Sequence, residues 1–205
     1  MNDAKIQLSE DELCMALNEE LILTKNRIIQ KAYQLFGLLA ENYRQYSGDI
    51  FSFLPAIQQP KIARGENYNG LPYVMLDYPR HFTHADILAI RTMFWWGNDM
   101  SITLHLTGKY KSIFGMAALE ALKNACDRSW YVQTTGDEWQ HHYSSGTHQH
   151  PDSIDKAFLE SMVETSSFIK LSSFLPLKRW NDAEGIFSGK FVELVNAIKA
   201  QLPNL

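Results

Sequence analysis

Apolar residues recur every three or four positions near the start of the chain, a spacing typical of helices. Ser9 and Glu12 have the spacing of a capping box and predict the start of a first helix. Leu13, Cys14 and Leu17 then fall on one face of that helix, so we expect this face to be buried. A buried thiol in such a position acts as a small hydrophobic group.

A longer helix is predicted over residues 19–46, because apolar side chains there recur with the helical period and polar side chains fill the opposite face. Ser47, Gly48 and Asp49 are typical of a helix end. The helical N-terminal part of the chain is therefore predicted to span about residues 9–46.

After residue 60 the spacing changes to alternation, which is typical of strands. The predicted strands are 61–64, 73–78, 93–96, 100–107, 130–135, 138–143 and 168–175. Hairpin turns are predicted at residues 97–99 and 136–137 from their Gly, Asn and Asp residues. The predicted helices of this part are a short one capped by Thr83 and Asp86, then 109–127, 153–167, and a last one from Asp182 or Ser188 to Leu202.

Hairpins flanked by separate helices predict an α+β fold, with a mainly antiparallel sheet packed with several helices. We expect residues 1–205 to form a single domain, since no linker interrupts the pattern. A doubly wound sheet is disfavoured because strands and helices do not alternate regularly. Gly65 and Gly70 match neither phosphate-loop pattern, so the usual nucleotide-binding motifs are not expected.

Charge and composition narrow the functional classes. The chain has 19 Lys and Arg against 23 Asp and Glu, a formal net charge of -4, which argues against a dedicated nucleic-acid binder. The longest uncharged apolar stretch is residues 113–119. A membrane-spanning helix needs about 20 residues, so no membrane association is expected. Two cysteines cannot form a disulfide framework and the first residues do not resemble a secretory signal, so we expect a cytoplasmic protein.

One group of residues suggests a site for a small anionic ligand. Arginines at strand ends beside aromatic residues can hold a carboxylate or phosphate through paired hydrogen bonds. Strand alternation places Arg91 and Trp95 on one face, and His105 lies on the polar face of the next strand. The predicted ligand-binding residues are Arg64, Tyr73, Arg80, Arg91, Trp95 and His105. In the alternative interpretation, these arginines pair with nearby carboxylates such as Asp77 and the aromatic rings fill the core.

A second group consists of the histidines at 141, 142, 148 and 150. Imidazole is a common ligand of divalent metals, and three imidazoles could form a catalytic site. On a strand His141 and His142 would point to opposite faces, so only one of them can join a common site. The predicted metal ligands are therefore His141, His148 and His150. The alternative is a polar surface loop that is rich in histidine.

No nucleophile motif accompanies these groups, since the Gly-x-Ser-x-Gly frame is absent from the sequence. We therefore favour a non-catalytic domain that binds a small ligand or a protein over an enzyme. The alternative function is a metal-dependent enzyme that uses the histidine cluster at 141–150. Trp95 and Trp96 are adjacent and point to opposite faces of a strand, so one of them needs cover from a helix, a ligand or a second subunit. A homo-oligomer is thus one of the open possibilities.

Overall fold

A sheet of seven strands and five α-helices make up the fold, in a computed structural model that describes residues 6–56, 58–123, 125 and 128–202. In chain order the elements are α1 (Glu10–Leu17), α2 (Glu19–Ser47), β1 (Lys61–Tyr68), β2 (Leu71–Phe82), β3 (Ile87–Trp95), β4 (Asp99–Thr107), α3 (Gly108–Lys123), β5 (Trp130–Gln133), β6 (His148–Gln149), α4 (Lys156–Thr165), β7 (Phe168–Pro176) and α5 (Ala183–Lys199). Short 3₁₀ segments occupy Pro151–Ser153 and Leu177–Asp182.

The strands lie in the order β1-β2-β3-β4-β7-β5-β6, and every neighbouring pair is antiparallel. The first four strands follow one another as hairpins, whereas β7 enters between β4 and β5 from much later in the chain. This arrangement confirms the predicted α+β class with an antiparallel sheet.

The two faces of the sheet differ in chemistry. In β4, Ile102, Leu104 and Leu106 belong to the hydrophobic core, which the sheet shares with α2, α3 and α5. Thr103 and His105 alternate with them and point to the opposite face. They are also buried, because a segment of residues 134–147 without helix or strand covers this second face.

Two predictions of elements in the middle of the chain are wrong, and both errors have a physical reason. Thr83 and Asp86 form a turn before β3, in which the Thr83 hydroxyl is 2.9 Å from both the Asp86 amide nitrogen and its carbonyl oxygen. A helix cap uses the same local hydrogen bond, so the sequence signal does not distinguish the two. The predicted second hairpin does not form, because β5 pairs with β7 and with the two-residue β6, while residues 138–143 leave the sheet.

The first helix begins as predicted, since the Ser9 and Glu12 side chains cap each other's backbone amides at 3.2 and 2.7 Å. Its predicted burial is wrong: Leu13, Cys14 and Leu17 are all exposed. Asn18 interrupts the helix and caps α2, whose first buried residue is Ala32. The second of the two cysteines, Cys126, lies outside the described residues. The second helix follows its predicted range closely.

Candidate functional site

The strand register brings polar side chains of three neighbouring strands together on the face opposite α2, α3 and α5. Arg91 of β3 pairs with Thr103 of β4, and Ala89 pairs with His105. His105 in turn pairs with Lys170 of β7. Directly paired residues point to the same side of a sheet. A guanidinium, an imidazole and an ammonium group therefore lie in one buried layer.

Arg91 is fixed by two partners. Its Nε and Nη2 donate to the two carboxylate oxygens of Asp77 on β2, at 2.7 and 2.9 Å. Its Nη1 lies 2.9 Å from Nε2 of His141. A guanidinium can only donate, so this Nε2 accepts, and the proton of the neutral imidazole must sit on Nδ1. Arg91 thus sets the tautomer of His141.

Beside this pair, Tyr68, Tyr73 and Trp95 hold residues 134–147 in place, and we call these three residues the aromatic anchor. The Tyr68 hydroxyl accepts a hydrogen bond from the His141 backbone amide at 2.6 Å and lies 2.8 Å from Nδ1 of His142. The Trp95 indole donates to the Tyr68 carbonyl at 3.1 Å. Tyr73 packs edge-on against Tyr68. These contacts hold His141 over the sheet.

Lys170 of β7 holds the same segment from the side of the sheet. Its ammonium donates to the backbone carbonyls of Glu138, at 2.9 Å, and Gln140. Its side chain is almost wholly buried. Burial lowers the pKa of Lys170 to about 7, and the charge of Arg91 contributes in the same direction. This amine therefore changes charge near neutral pH.

His105 and His141 stay neutral because charging them in this position is costly. Burial lowers the pKa of His105 to about 3, and the charges of Lys170 and Arg91 add to the effect. The pKa of His141 is lowered further for the same reasons. Nε2 of His105 is 3.5 Å from a carboxylate oxygen of Glu138. Nδ1 of His141 and Nε2 of His105 are buried without a hydrogen-bond partner among the described residues.

These groups surround a small cavity of about 10 Å³, which is about the space that one water molecule needs. Its lining consists of Phe82, Ala89, Arg91, Thr103, His105, His141 and Lys170. A buried polar group without a partner is uncommon in folded proteins. Two such groups, on His105 and His141, lie in this layer, so the cavity is the candidate functional site. A larger groove of about 660 Å³ lies between α3 and α5. One of its polar groups, the Glu193 carboxylate, already accepts from Trp130 at 2.6 Å.

Only part of the predicted ligand-binding set meets at the cavity. Arg91 and His105 line it, and Tyr73 and Trp95 belong to the neighbouring aromatic anchor. Arg64 and Arg80 are not brought to it: both are exposed, and Arg80 donates to the Gln59 carbonyl instead. A convergence of three arginines on one anion is therefore not what the fold provides.

Lys170 and Asp77 are the members that the sequence prediction missed as site residues. Asp77 was expected only as one of several carboxylates that could pair with an arginine. Lys170 is the one charged residue within the predicted strand 168–175. This isolated charge between Ile169 and Leu171 is the feature of the sequence that could have identified Lys170 as a site residue. A lysine on a central strand that faces away from the hydrophobic core needs polar partners.

The histidines predicted as metal ligands are engaged separately. His141 binds Arg91, whereas Nδ1 of His148 lies 3.0 Å from the Thr147 hydroxyl. Nε2 of His150 lies 2.9 Å from the Arg128 carbonyl, and its Nδ1 accepts from the Asp152 amide at 3.2 Å. Within the described ranges, no three His, Cys, Asp or Glu side chains are placed to hold a metal ion.

Comparisons with models of known families, with curated proteins and with solved structures gave no match to this chain. Among the helices that the structure describes, none combines the length and the apolar character needed to cross a bilayer. A function must therefore be inferred from the groups that line the cavity.

Proposed function

We propose that this chain is a non-catalytic cytoplasmic binding protein that takes a small anion, such as a carboxylate, into the cavity under residues 134–147. The observation that carries the proposal is the Nδ1–H of His141. Arg91 forces the proton onto this nitrogen, and the N–H is buried with no acceptor among the residues that the structure describes. A ligand oxygen would supply the missing acceptor, which relieves the cost of an unsatisfied buried donor.

The remaining groups favour an anionic over a neutral oxygen. The charge of Arg91 is balanced by Asp77, so the positive charge for a ligand comes from the ammonium of Lys170, on which the carboxylates of Asp137 and Glu138 also act. The Lys170 pKa of about 7 means that the amine is only partly charged in neutral solution without a ligand. An anion in the cavity favours the charged form, so its binding is coupled to proton uptake by Lys170.

The dimensions of the cavity limit the ligand. A volume near that of one water molecule admits one oxygen or a group of similar size. A larger ligand requires the segment 134–147 to move away from the sheet, against the hydrogen bonds of Lys170 and Tyr68. Formate is the smallest carboxylate, so one of its oxygens can enter the cavity with the least movement of this segment, which makes it the probe to use.

The test is a titration of the full chain with sodium formate at constant ionic strength, followed by the NMR shifts of the His105 and His141 imidazoles. We expect saturable shifts at pH 6 and an affinity roughly tenfold or more lower at pH 8.5, where Lys170 is neutral. Lys170→Met should abolish the response, whereas the exposed Lys178→Met should keep it. Equal responses in wild type and Lys170→Met, or none in wild type, would contradict the proposal.

The alternative of a metal-dependent enzyme has weaker support, since the three imidazoles at 141, 148 and 150 hold different partners. Elemental analysis of the purified chain separates the two functions. Stoichiometric zinc, iron or manganese would favour the enzyme, particularly if His148→Ala with His150→Ala removed the metal.

A further inference from the structure

The cavity that His141 and Lys170 line has one side that reaches solvent. Among the residues of its lining, Phe82 alone is exposed, at 38%. The centroid of the Phe82 ring lies 5.9 Å from the guanidinium carbon of Arg91, so the ring covers one side of that charge. The side of the cavity nearest to solvent is therefore the side that Phe82 forms.

The ends of the strands place further apolar side chains on this side. Phe82 ends β2 and pairs with Ile87 at the start of β3. Phe168 starts β7 at the same end of the sheet. Ile87 and Phe168 lie two positions before the cavity residues Ala89 and Lys170, so they face the same side of the sheet as the cavity.

The segment that covers the cavity adds an indole beside these rings. Trp139 packs edge-on against His105, with ring centroids 5.7 Å apart, and Phe168 packs edge-on against the same imidazole at 6.2 Å. The Trp139 amide donates to the Asp137 carboxylate at 2.9 Å, which holds the backbone in place. The Trp139 side chain is nevertheless 46% exposed. We call Phe82, Trp139 and Phe168 the aromatic rim of the cavity.

Only one end of a ligand fits inside the cavity. Its volume of about 10 Å³ takes one oxygen, so the rest of a larger anion stays outside, next to the aromatic rim. Ligand sites commonly combine a few polar groups that fix the orientation with apolar and aromatic surface that supplies most of the contact. A carboxylate that carries an apolar ring matches both parts of this site.

Charge near the rim disfavours a second anionic group on the ligand. A carboxylate oxygen of Glu138 is 3.5 Å from Nε2 of His105, the imidazole that Trp139 and Phe168 contact. Asp137 precedes Glu138 and adds a second carboxylate to this part of the segment. Like charges at short distance repel each other. The end of the ligand outside the cavity is therefore uncharged.

We infer that the ligand of this cavity is an aromatic monocarboxylate, whose ring lies against the aromatic rim while one carboxylate oxygen accepts a hydrogen bond from Nδ1 of His141. This assignment rests on the proposed function, because it uses the same anion site and specifies the class of molecule that carries the anion. Contact of the ring with Trp139 and Phe82 should strengthen binding by about tenfold over a carboxylate without a ring.

Three probes test the assignment on the full chain. Benzoate, formate and the neutral benzamide are titrated at pH 6 and constant ionic strength, and the NMR shifts of the His105 imidazole and the Trp139 indole are followed. We expect benzoate to bind roughly tenfold or more tightly than either of the other probes. Formate lacks the ring, and benzamide lacks the charge.

Variants at two exposed aromatic residues of the same segment locate the ring. Trp139→Ala should lower the affinity for benzoate about tenfold and that for formate much less, whereas Trp139→Phe should keep most of the preference for benzoate. Tyr143→Ala is the matched control, since Tyr143 is 43% exposed and packs against Tyr131 and Phe174, which do not line the cavity. It should keep the full preference.

The failure of this assignment can be distinguished from the failure of the proposed function. A wild type that binds formate as expected but benzoate no more tightly would overturn the assignment alone. A Trp139→Ala variant that keeps the preference, or that loses formate and benzoate to the same extent, would do the same. Benzamide that binds as tightly as benzoate, or a wild type that does not bind formate at pH 6, would overturn both.

Discussion

At the scale of single residues, Lys170 shows how a buried charge is tolerated on a central strand. Its ammonium reaches two backbone carbonyls of the covering segment, so the hydrogen bonds that it loses to water are partly replaced. The replacement is incomplete, because burial still lowers the pKa of Lys170 to about 7. In the unfolded chain Lys170 is an ordinary lysine with a pKa of about 10.4.

This difference predicts that stability rises with pH above neutrality. Between about pH 7 and 9 the unfolded chain keeps a proton on Lys170 that the folded chain has released, so raising the pH favours folding. Lys170 can raise the free energy of unfolding by at most about 1.4 kcal/mol per pH unit. Urea unfolding at pH 7, 8 and 9 measures it. Lys170→Met should remove the slope and Lys178→Met should not; a slope that persists in Lys170→Met would assign it to other groups.

The sequence predicted some members of the site and not others for identifiable reasons. Arg91 and His105 could be placed on one face because alternation within adjacent hairpin strands is a local pattern. Their neighbour Lys170 comes from a strand far along the chain, and its position beside β4 depends on the order of the sheet. The residue type of His141 indicates a candidate ligand, but its contact with Arg91 depends on the tertiary fold.

At the scale of elements, local signals predicted the long helices and the hairpin of β3 and β4 well, but they also predicted a short helix and a second hairpin that do not form. Long-range strand pairing was predicted poorly. The hairpin of β3 and β4 follows from its turn at residues 97–99, yet β3 begins at Ile87, six positions earlier than expected. The run Ile87 to Ile90 is continuously apolar, and such a run suits a buried strand as well as a helix. The turn at Gly136 exists, with φ of +90°, but the chain after it crosses the sheet instead of pairing.

The junction between β4 and α3 gives a test at this scale. Gly108 has φ of +53°, and a Cβ there would lie 2.3 Å from the Ala85 carbonyl oxygen. Gly108→Ala should therefore lower the free energy of unfolding by roughly 2 kcal/mol or more. Gly189 within α5 has open space around it, so Gly189→Ala should raise that free energy by about 0.5–1 kcal/mol. Urea unfolding of both variants checks the pair, and equal effects would be inconsistent with this geometry.

At the scale of the whole molecule, the polar face makes folding sensitive to mild acid. Burial lowers the pKa of His105 to about 3 and of His148 to about 4, and lowers that of His141 further. Below pH 6.5 the unfolded chain therefore takes up three protons at these positions that the folded chain does not. Burial raises the pKa of Asp99 to about 6, so at this carboxyl the folded chain takes up one proton that the unfolded chain does not. This proton opposes the effect of the three histidines on stability.

We therefore expect the free energy of unfolding to fall as pH drops from 6.5 to about 4, with a slope of at most about 3 kcal/mol per pH unit. Urea unfolding at pH 6.5, 5.5 and 5 measures the fall. His141→Asn should reduce the slope by the contribution of about one proton. His84→Asn, at an exposed position, should leave the slope unchanged. A constant stability over this range would show that these imidazoles become charged in the folded chain.

The two edges of the sheet have a consequence for how copies of this chain can associate. At one edge β1 carries the exposed charges of Lys61, Arg64 and Glu66, and its pairing with β2 is irregular between Gly65 and Tyr68. At the other edge β6 is only two residues long. Charged, irregular or very short edge strands are poor templates for adding a further strand. Neither edge therefore favours the addition of a strand from another copy, so the sheets of neighbouring copies do not readily join into continuous fibres.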